Sequence, residues 1–313
     1  MSLDPRIQRF LDLLKAGHPP NTFDLTVAQR RTGLAELMQF GGPSEALPTE
    51  DRVLPGPATA LPARLYIPTE APPDLSAGIV YFHGGGLISG SIDTHDGIAR
   101  SLAQATGCRL LSVDYRLAPE HAFPAGLEDA LAAVRHVAAH ASDYGIDAAR
   151  LIVCGDSAGA TLAAAVCEAL ARSGEVRPAL QLLLCPILDH SRATESRRLY
   201  AEGFLVEQGT LDHDLLHYLP PGTDRRDPRI SPLLAANLKG VPPTIVHTAE
   251  YDPLRDEGRA YFERLQAVGS GRAYTCHAGM IHLFYGLGRV TPAAGAAFRA
   301  IGAEVRTALE AGS

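Results

Sequence analysis

Residues 151–171 read LIVCGDSAGATLAAAVCEALA, and this stretch decides the fold. Leu151, Ile152, Val153 and Cys154 form an apolar run that predicts a buried strand. After Gly155-Asp156-Ser157-Ala158-Gly159, residues Leu162, Ala165, Val166, Ala169 and Leu170 fall on one helical face. A serine in the middle of such a strand–turn–helix sits at the tip of a sharp turn, its hydroxyl projected above the sheet edge. The flanking glycines leave room where the two backbones crowd together. The helix that starts behind Ser157 points its amino-terminal N–H groups at that spot and favours negative charge there. The bland alternative is a tight turn whose serine is merely small; the strand before it and the helix after it weigh for a nucleophile.

The same rhythm runs outward. Ile79 to Phe82 and Leu110 to Tyr115 read as strands, followed by a helix with Leu127, Leu131, Val134 and Ala138 on one face. Beyond residue 171 come apolar strands at Leu180 to Leu188, Thr244 to Thr248 and Arg272 to His277. Helices carrying Tyr261, Phe262, Leu265 and Val268, then Ala294, Ala297, Phe298, Ile301 and Val305, complete the pattern. Apolar strands alternating with helices predict an α/β domain with a mostly parallel sheet flanked by helices. Ala63 to Ile67 reads as an early strand within the proline-rich stretch Asp51 to Pro73.

Two segments stand outside the alternation. Residues 1–45 contain an amphipathic helix at Arg6 to Lys15 and a weaker helical pattern at Leu25 to Phe40, an appendage that must pack on something. Leu188 to Thr244 is longer than a usual crossover of roughly 10 to 30 residues. Its part at about 190–225 is expected to form a helical cap over the carboxyl ends of the strands, where ligands bind in such sheets. The catalytic domain is then 46–313, with that insertion.

Composition narrows the class. The 313 residues are 46% hydrophobic, enough for a large core. A net charge of −7 argues against a nucleic-acid partner. No run of about 18 apolar residues is present, so no stable membrane association is expected. Asp4, Arg6, Arg9 and Asp12 occupy the region where a signal peptide would be apolar, which points to the cytoplasm. Five scattered cysteines, with no C-x-x-C pair, read as free thiols. Neither a metal nor another cofactor is expected.

His83-Gly84-Gly85-Gly86 follows the strand ending at Phe82. Successive glycines leave amide N–H groups bare where a carbonyl oxygen gains negative charge, and the N–H after the nucleophile, on Ala158, supplies another donor. His83 is expected to brace that loop. A serine hydroxyl also needs a base, and the base needs an acid to fix its tautomer. His190, His213 and His217 fall in or beside the insertion, and His247 lies inside a buried strand. His282, in the loop after the last strand, lies at the same sheet edge as Ser157 and is favoured over His277. Asp252, before Pro253 in a strand-to-helix turn, is the favoured acid; Asp256 and Glu257 open the following helix and are read as responding to its dipole. Asp114, Arg116 and Glu120 read as a turn held by its own ion pair, and Asp156 as a brace beside the nucleophile.

These stretches, together with Tyr81-Phe82-His83-Gly84-Gly85-Gly86, Asp114 to Glu120, Ser231-Pro232-Leu233-Leu234, Glu250 to Gly258 and Gly279 to Phe284, resemble the hormone-sensitive lipase family. These are the family IV bacterial esterases of the α/β-hydrolase fold. The resemblance covers roughly residues 60 to 310 in the family's order. It implies a triad of Ser157, Asp252 and His282, oxyanion donors at Gly85, Gly86 and Ala158, and a cap made of the amino-terminal helices and the insertion. It also implies hydrolysis of short- to medium-chain acyl esters through an acyl-enzyme. Where the family often has H-G-F, this chain has Leu283 in the middle position. The partner implied is a small-molecule ester; a homodimer is left open. The competing readings are a non-catalytic binding protein on the same fold, like the gibberellin receptors that lack the histidine, and an amidase or peptidase using the same parts.

Overall fold

The computed structural model describes residues 2–42, 46–71 and 74–311. The expected junction between residues 45 and 46 borders residues outside that set, and Pro72 and Pro73, at the end of the proline-rich stretch, lie outside it. Two helices open the chain, α1 (Pro5–Ala16) and α2 (Val27–Met38). The sheet begins with β1 (Thr49–Leu54), β2 (Leu61–Tyr66) and β3 (Ser76–Phe82). Then follow α3 (Asp96–Thr106), β4 (Arg109–Val113), α4 (Ala125–Ala139), β5 (Ile146–Asp156), α5 (Ala158–Ser173) and β6 (Leu180–Leu184). The insertion contributes α6 (Glu195–Leu199) and α7 (Gln208–Tyr218). The chain closes with β7 (Thr244–Tyr251), α8 (Arg255–Ala267), β8 (Gly271–Ile281) and α9 (Ala293–Glu310).

The eight strands form one sheet in the order β1-β2-β4-β3-β5-β6-β7-β8. β1, β2 and β4 pair antiparallel, and every pairing from β4 to β8 is parallel. Parallel strands need both faces covered, and β3 shows the result: all seven of its residues are buried. Val80 and Phe82 join the core with α4, α5 and α8, while Ile79 and Tyr81 point to the opposite core with α3 and α9. Burying an apolar side chain such as Ile79, Val80 or Phe82 contributes about 1.5–3 kcal/mol relative to leaving it exposed. The amino-terminal helix belongs to the second core. Ile7, Phe10 and Leu11 of α1 are buried there, and the Asp4 N–H donates to Gly279 O of β8.

Several boundaries differ from the sequence reading. β1 was not anticipated, because five of its six residues are exposed and no apolar alternation marks an edge strand. α3 was also passed over. The strand predicted over Leu180 to Leu188 stops at Leu184, where Cys185 turns to φ +43° and carries the chain off the sheet. The last strand runs on to Ile281, so His277 lies inside it rather than at its end, and His282 follows it directly. No helix among the described residues is long and apolar enough to cross a membrane.

Candidate active site

The turn around Ser157 is tight because two backbones meet there. A Cβ on Gly159 would lie 2.0 Å from Phe82 O, and one on Gly155 would lie 2.3 Å from Gly159 O. Only glycine lets α5 start this close to the ends of β3 and β5. Ser157 itself is forced to φ +51°, a conformation that costs a non-glycine residue about 1–3 kcal/mol. Its N–H donates to Leu184 O at 2.8 Å, which helps hold the strained turn.

Three side chains from three turns converge here. His282 Nε2 lies 2.9 Å from Ser157 Oγ, and His282 Nδ1 lies 2.8 Å from Asp252 Oδ2. The tautomer protonated on Nδ1 satisfies both contacts: it donates to the carboxylate and accepts from the hydroxyl. Asp252 Oδ1 accepts from the Leu254 N–H, so the acid is fixed from its own turn. Asp252 is fully buried and His282 nearly so. Burial works against the imidazolium, but the charge and hydrogen bond of Asp252 outweigh it and raise His282 above its usual value of 6.5.

The glycine loop lies beside this chain of contacts. Gly85 and Gly86 adopt φ +118° and +67°, and a Cβ on Gly85 would meet Ser89 O at 2.3 Å. Among the described residues, the hydrogen bonds leave the N–H groups of Gly85, Gly86 and Ala158 unused. His83 braces the loop, as the sequence suggested: its buried ring stacks on Tyr115 at 4.5 Å, with Nδ1 2.8 Å from Gly84 O. Asp156 holds the other side, accepting from Tyr81 Oη at 2.5 Å and from the Gly84 N–H at 2.9 Å. Burial alone would raise the Asp156 carboxyl, but His95 at 3.7 Å and the Tyr81 hydroxyl bring it below its usual range.

A cavity of about 130 Å³ opens above Ser157, between Gly85, Gly86, Ile187, His282 and Leu283 below and α2 and α7 above. Leu34 and Leu37 of α2, Leu211 of α7 and Leu205 and Val206 before it supply apolar wall. Arg30 and Asp214 line it too, joined by Arg30 Nη2 to Asp214 Oδ2 at 2.7 Å. Leu205, Val206 and Leu211 belong to the apolar residues of the insertion expected to form the cap, whereas nothing local marked Arg30, Leu34, Leu37 or Asp214 as wall, since a side chain's position relative to a distant serine has no local signature. Larger hollows, such as one of about 730 Å³ beside Leu233 and Arg264, lie away from Ser157. Leu283 stands at φ +62°, so its departure from glycine changes the backbone's cost as well as the side chain.

The other candidates have other partners. His277 Nε2 contacts His247 Nδ1 at 2.9 Å, and His247 reaches Glu304 of α9, so these rings are engaged with each other and with α9. Arg116 does not pair within its own turn: it grips Asp129 of α4, while Glu120 pairs with Arg31 of α2. Glu257 does more than answer the dipole of α8. Fully buried, it accepts the Leu188 and Asp189 N–H groups and pairs with Arg197, anchoring the insertion. Cys108, Cys154, Cys167 and Cys185 are buried free thiols; Cys276 is exposed. Cys185 brings its sulfur within 4.8 Å of Asp252 and His282, the one metal-like grouping among the described residues. Burial, then the charge of Asp252, pushes that thiol well up, and the imidazole and carboxylate are already engaged with each other.

Comparison with known proteins bears on the family. A family profile described as alpha/beta hydrolase fold matches residues 79–286. The chain is 39% identical over 278 residues to the carboxylic ester hydrolase LipN of Mycobacterium tuberculosis, covering 86% of this chain and 73% of that protein. It is 36% identical to an ethyl acetate hydrolase of Pseudomonas putida, covering 93% and 94%. Among solved structures, the ester-hydrolase EH1AB1 from the metagenome of Lake Arreo, complexed with a bipyridine phosphonate derivative, superposes with a TM-score of 0.94. It is 40% identical, and the match covers 99% of this chain and all of that one. With the eight-stranded sheet and the match over most of its length, this chain belongs to the α/β-hydrolase family, among the esterases related to hormone-sensitive lipase.

Proposed function

We propose that the protein is a serine carboxylesterase acting on short- to medium-chain acyl esters, with Ser157, His282 and Asp252 as its triad. The observation that carries this reading is the hydrogen-bonded sequence Ser157–His282–Asp252 beside three unused N–H groups. In the first half-reaction Ser157 Oγ attacks the ester carbonyl carbon while His282 Nε2 takes its proton. The carbonyl oxygen becomes an oxyanion held by the N–H groups of Gly85, Gly86 and Ala158. His282 then returns the proton to the departing alcohol, leaving an acyl-serine. Water, deprotonated by the same ring, attacks that acyl group and releases the carboxylic acid. Asp252 stays ionised throughout, orienting the ring and stabilising its positive charge.

The preference for short acyl groups rests on the cavity above Ser157, about 130 Å³, which α2 and α7 bound from above. It also fits the ethyl acetate hydrolase and acetyl esterases among the relatives. On this reading α2 and α7, from the amino-terminal 45 residues and the insertion at about 190–225, act as a cap on the catalytic domain 46–313. The test is a chain-length series of nitrophenyl esters from acetate upward, with Ser157→Ala alongside. Activity falling with acyl length and vanishing in the variant is the expected result. Highest activity on long-chain esters would overturn the substrate range, and an active Ser157→Ala enzyme would overturn the triad.

A further inference from the structure

The oxyanion loop has a carboxylate pressed against it that the reaction does not use. A Cβ built on Gly86 would fall 2.0 Å from Asp214 Oδ2, so this oxygen occupies the space where a side chain at Gly86 would go. Asp214 is 5% exposed and sits on α7 in the roof of the cavity. Resting on the reading that Gly85, Gly86 and Ala158 hold the oxyanion, we propose that Arg30 is a positioning residue that neutralises Asp214 and so keeps this loop able to accept negative charge.

The neutral ester brings no charge to this corner, whereas the tetrahedral intermediate places a full negative charge there. A bare carboxylate against Gly86 would therefore oppose the transition state more than the ground state, in a site where low dielectric strengthens the repulsion. Arg30 removes that opposition by pairing with the carboxylate. Its Nε and Nη2 bind Asp214 Oδ1 at 3.2 Å and Oδ2 at 2.7 Å, one guanidinium across both oxygens. His213 Nδ1 adds a contact to Oδ1 at 3.1 Å, its Nε2 facing Leu25 O. The loop's other carboxylate neighbour, Asp156, has its own partners in Tyr81, the Gly84 N–H and His95, and does not depend on Arg30.

Because the pair also ties α2 to α7, a mere latch between helices is the rival explanation, and a charge-rescue cycle separates the two. Steady-state kinetics on nitrophenyl acetate would be measured at low ionic strength for R30M, R30K, D214N and the double variant R30M/D214N, with melting curves to confirm folding. R30M is expected to lower kcat about tenfold or more while KM moves less than about threefold. D214N should be no slower than the parent, R30K should keep most of kcat, and the double variant should recover to within about threefold of the parent. Affinity for a phosphonate mimic of the tetrahedral intermediate should fall in R30M and return in the double variant. A double variant as slow as R30M, or D214N as slow as R30M, would overturn the proposal, since a lost latch cannot be repaired by neutralising its other half. Ser157→Ala, measured alongside, keeps the two readings apart: should it remain active, the triad reading fails, whatever the charge-rescue cycle shows.

Discussion

His282 Nδ1 meets Asp252 Oδ2 at 2.8 Å, although the two lie 30 residues apart in the turns after different strands. This contact sets the pH behaviour. His282 is raised above 6.5, burial opposing and Asp252 prevailing, and it must be neutral to accept the Ser157 proton. The acid limb of kcat/KM should therefore be a single protonation centred above pH 6.5, with activity rising as pH rises through it. The sign for stability is opposite. A raised folded value contributes stability that is complete below about 6.5 and is lost as pH rises through the folded value. Asp252→Asn should move the limb down and lower kcat by up to about 10⁴-fold. A profile flat from pH 5 to 9, or an Asn variant with near-parental turnover, would refute the pairing.

On the proposed mechanism, Ser157→Ala removes the nucleophile but no core contact. Ester hydrolysis should drop by about three decades or more, with the melting temperature nearly unchanged. His282→Ala should be as damaging, because triad members act as a unit. Turnover of either variant within tenfold of the parent would count against the assignment.

Two helix-start glycines, Gly159 and Gly97, should respond in opposite directions. Gly159→Ala puts a methyl 2.0 Å from Phe82 O and 2.5 Å from His83 O, both backbone atoms that cannot step aside. It should cost several kcal/mol, about 3 or more, and weaken expression. Gly97→Ala in the first turn of α3 meets nothing within 4 Å and needs no positive φ. There the change should stabilise by about 0.4–1 kcal/mol. Denaturant midpoints for the two variants provide the check, and equal effects would refute the steric argument.

His277 should matter for stability rather than turnover. Burial first, then the neighbouring His247, lowers its value to about 4, with Glu304 pulling the other way. The unfolded chain takes up this proton near pH 6.5 and the native one resists it, so stability falls as pH drops from about 6.5 toward 4. His277→Gln should lose part of that dependence while kcat at pH 8 stays close to the parent value. Melting temperatures at pH 5 and 7.5 for both proteins, beside kcat, decide this; a large loss of kcat would move the base from His282 to His277.

The sheet and the tight turn at Ser157 were legible because their signals are local. The glycines around Ser157, the bare loop at Gly84 to Gly86 and the apolar strands each record a steric or burial demand met within a few residues. The order Ser157, Asp252, His282 was readable because parallel strands bring successive carboxyl-terminal turns to one edge. Elements without such a demand were invisible or misplaced. β1 is exposed and carries no alternation, and Arg116 finds Asp129 rather than a charge in its own turn. Only the tertiary structure decided what closes the site. Arg30 and Asp214 are 184 residues apart, and a charged pair carries no record in sequence of which partner it will meet. That Asp214 rests against Gly86 follows from how α7 packs over the strand ends, and packing of distant surfaces is settled by the whole chain at once.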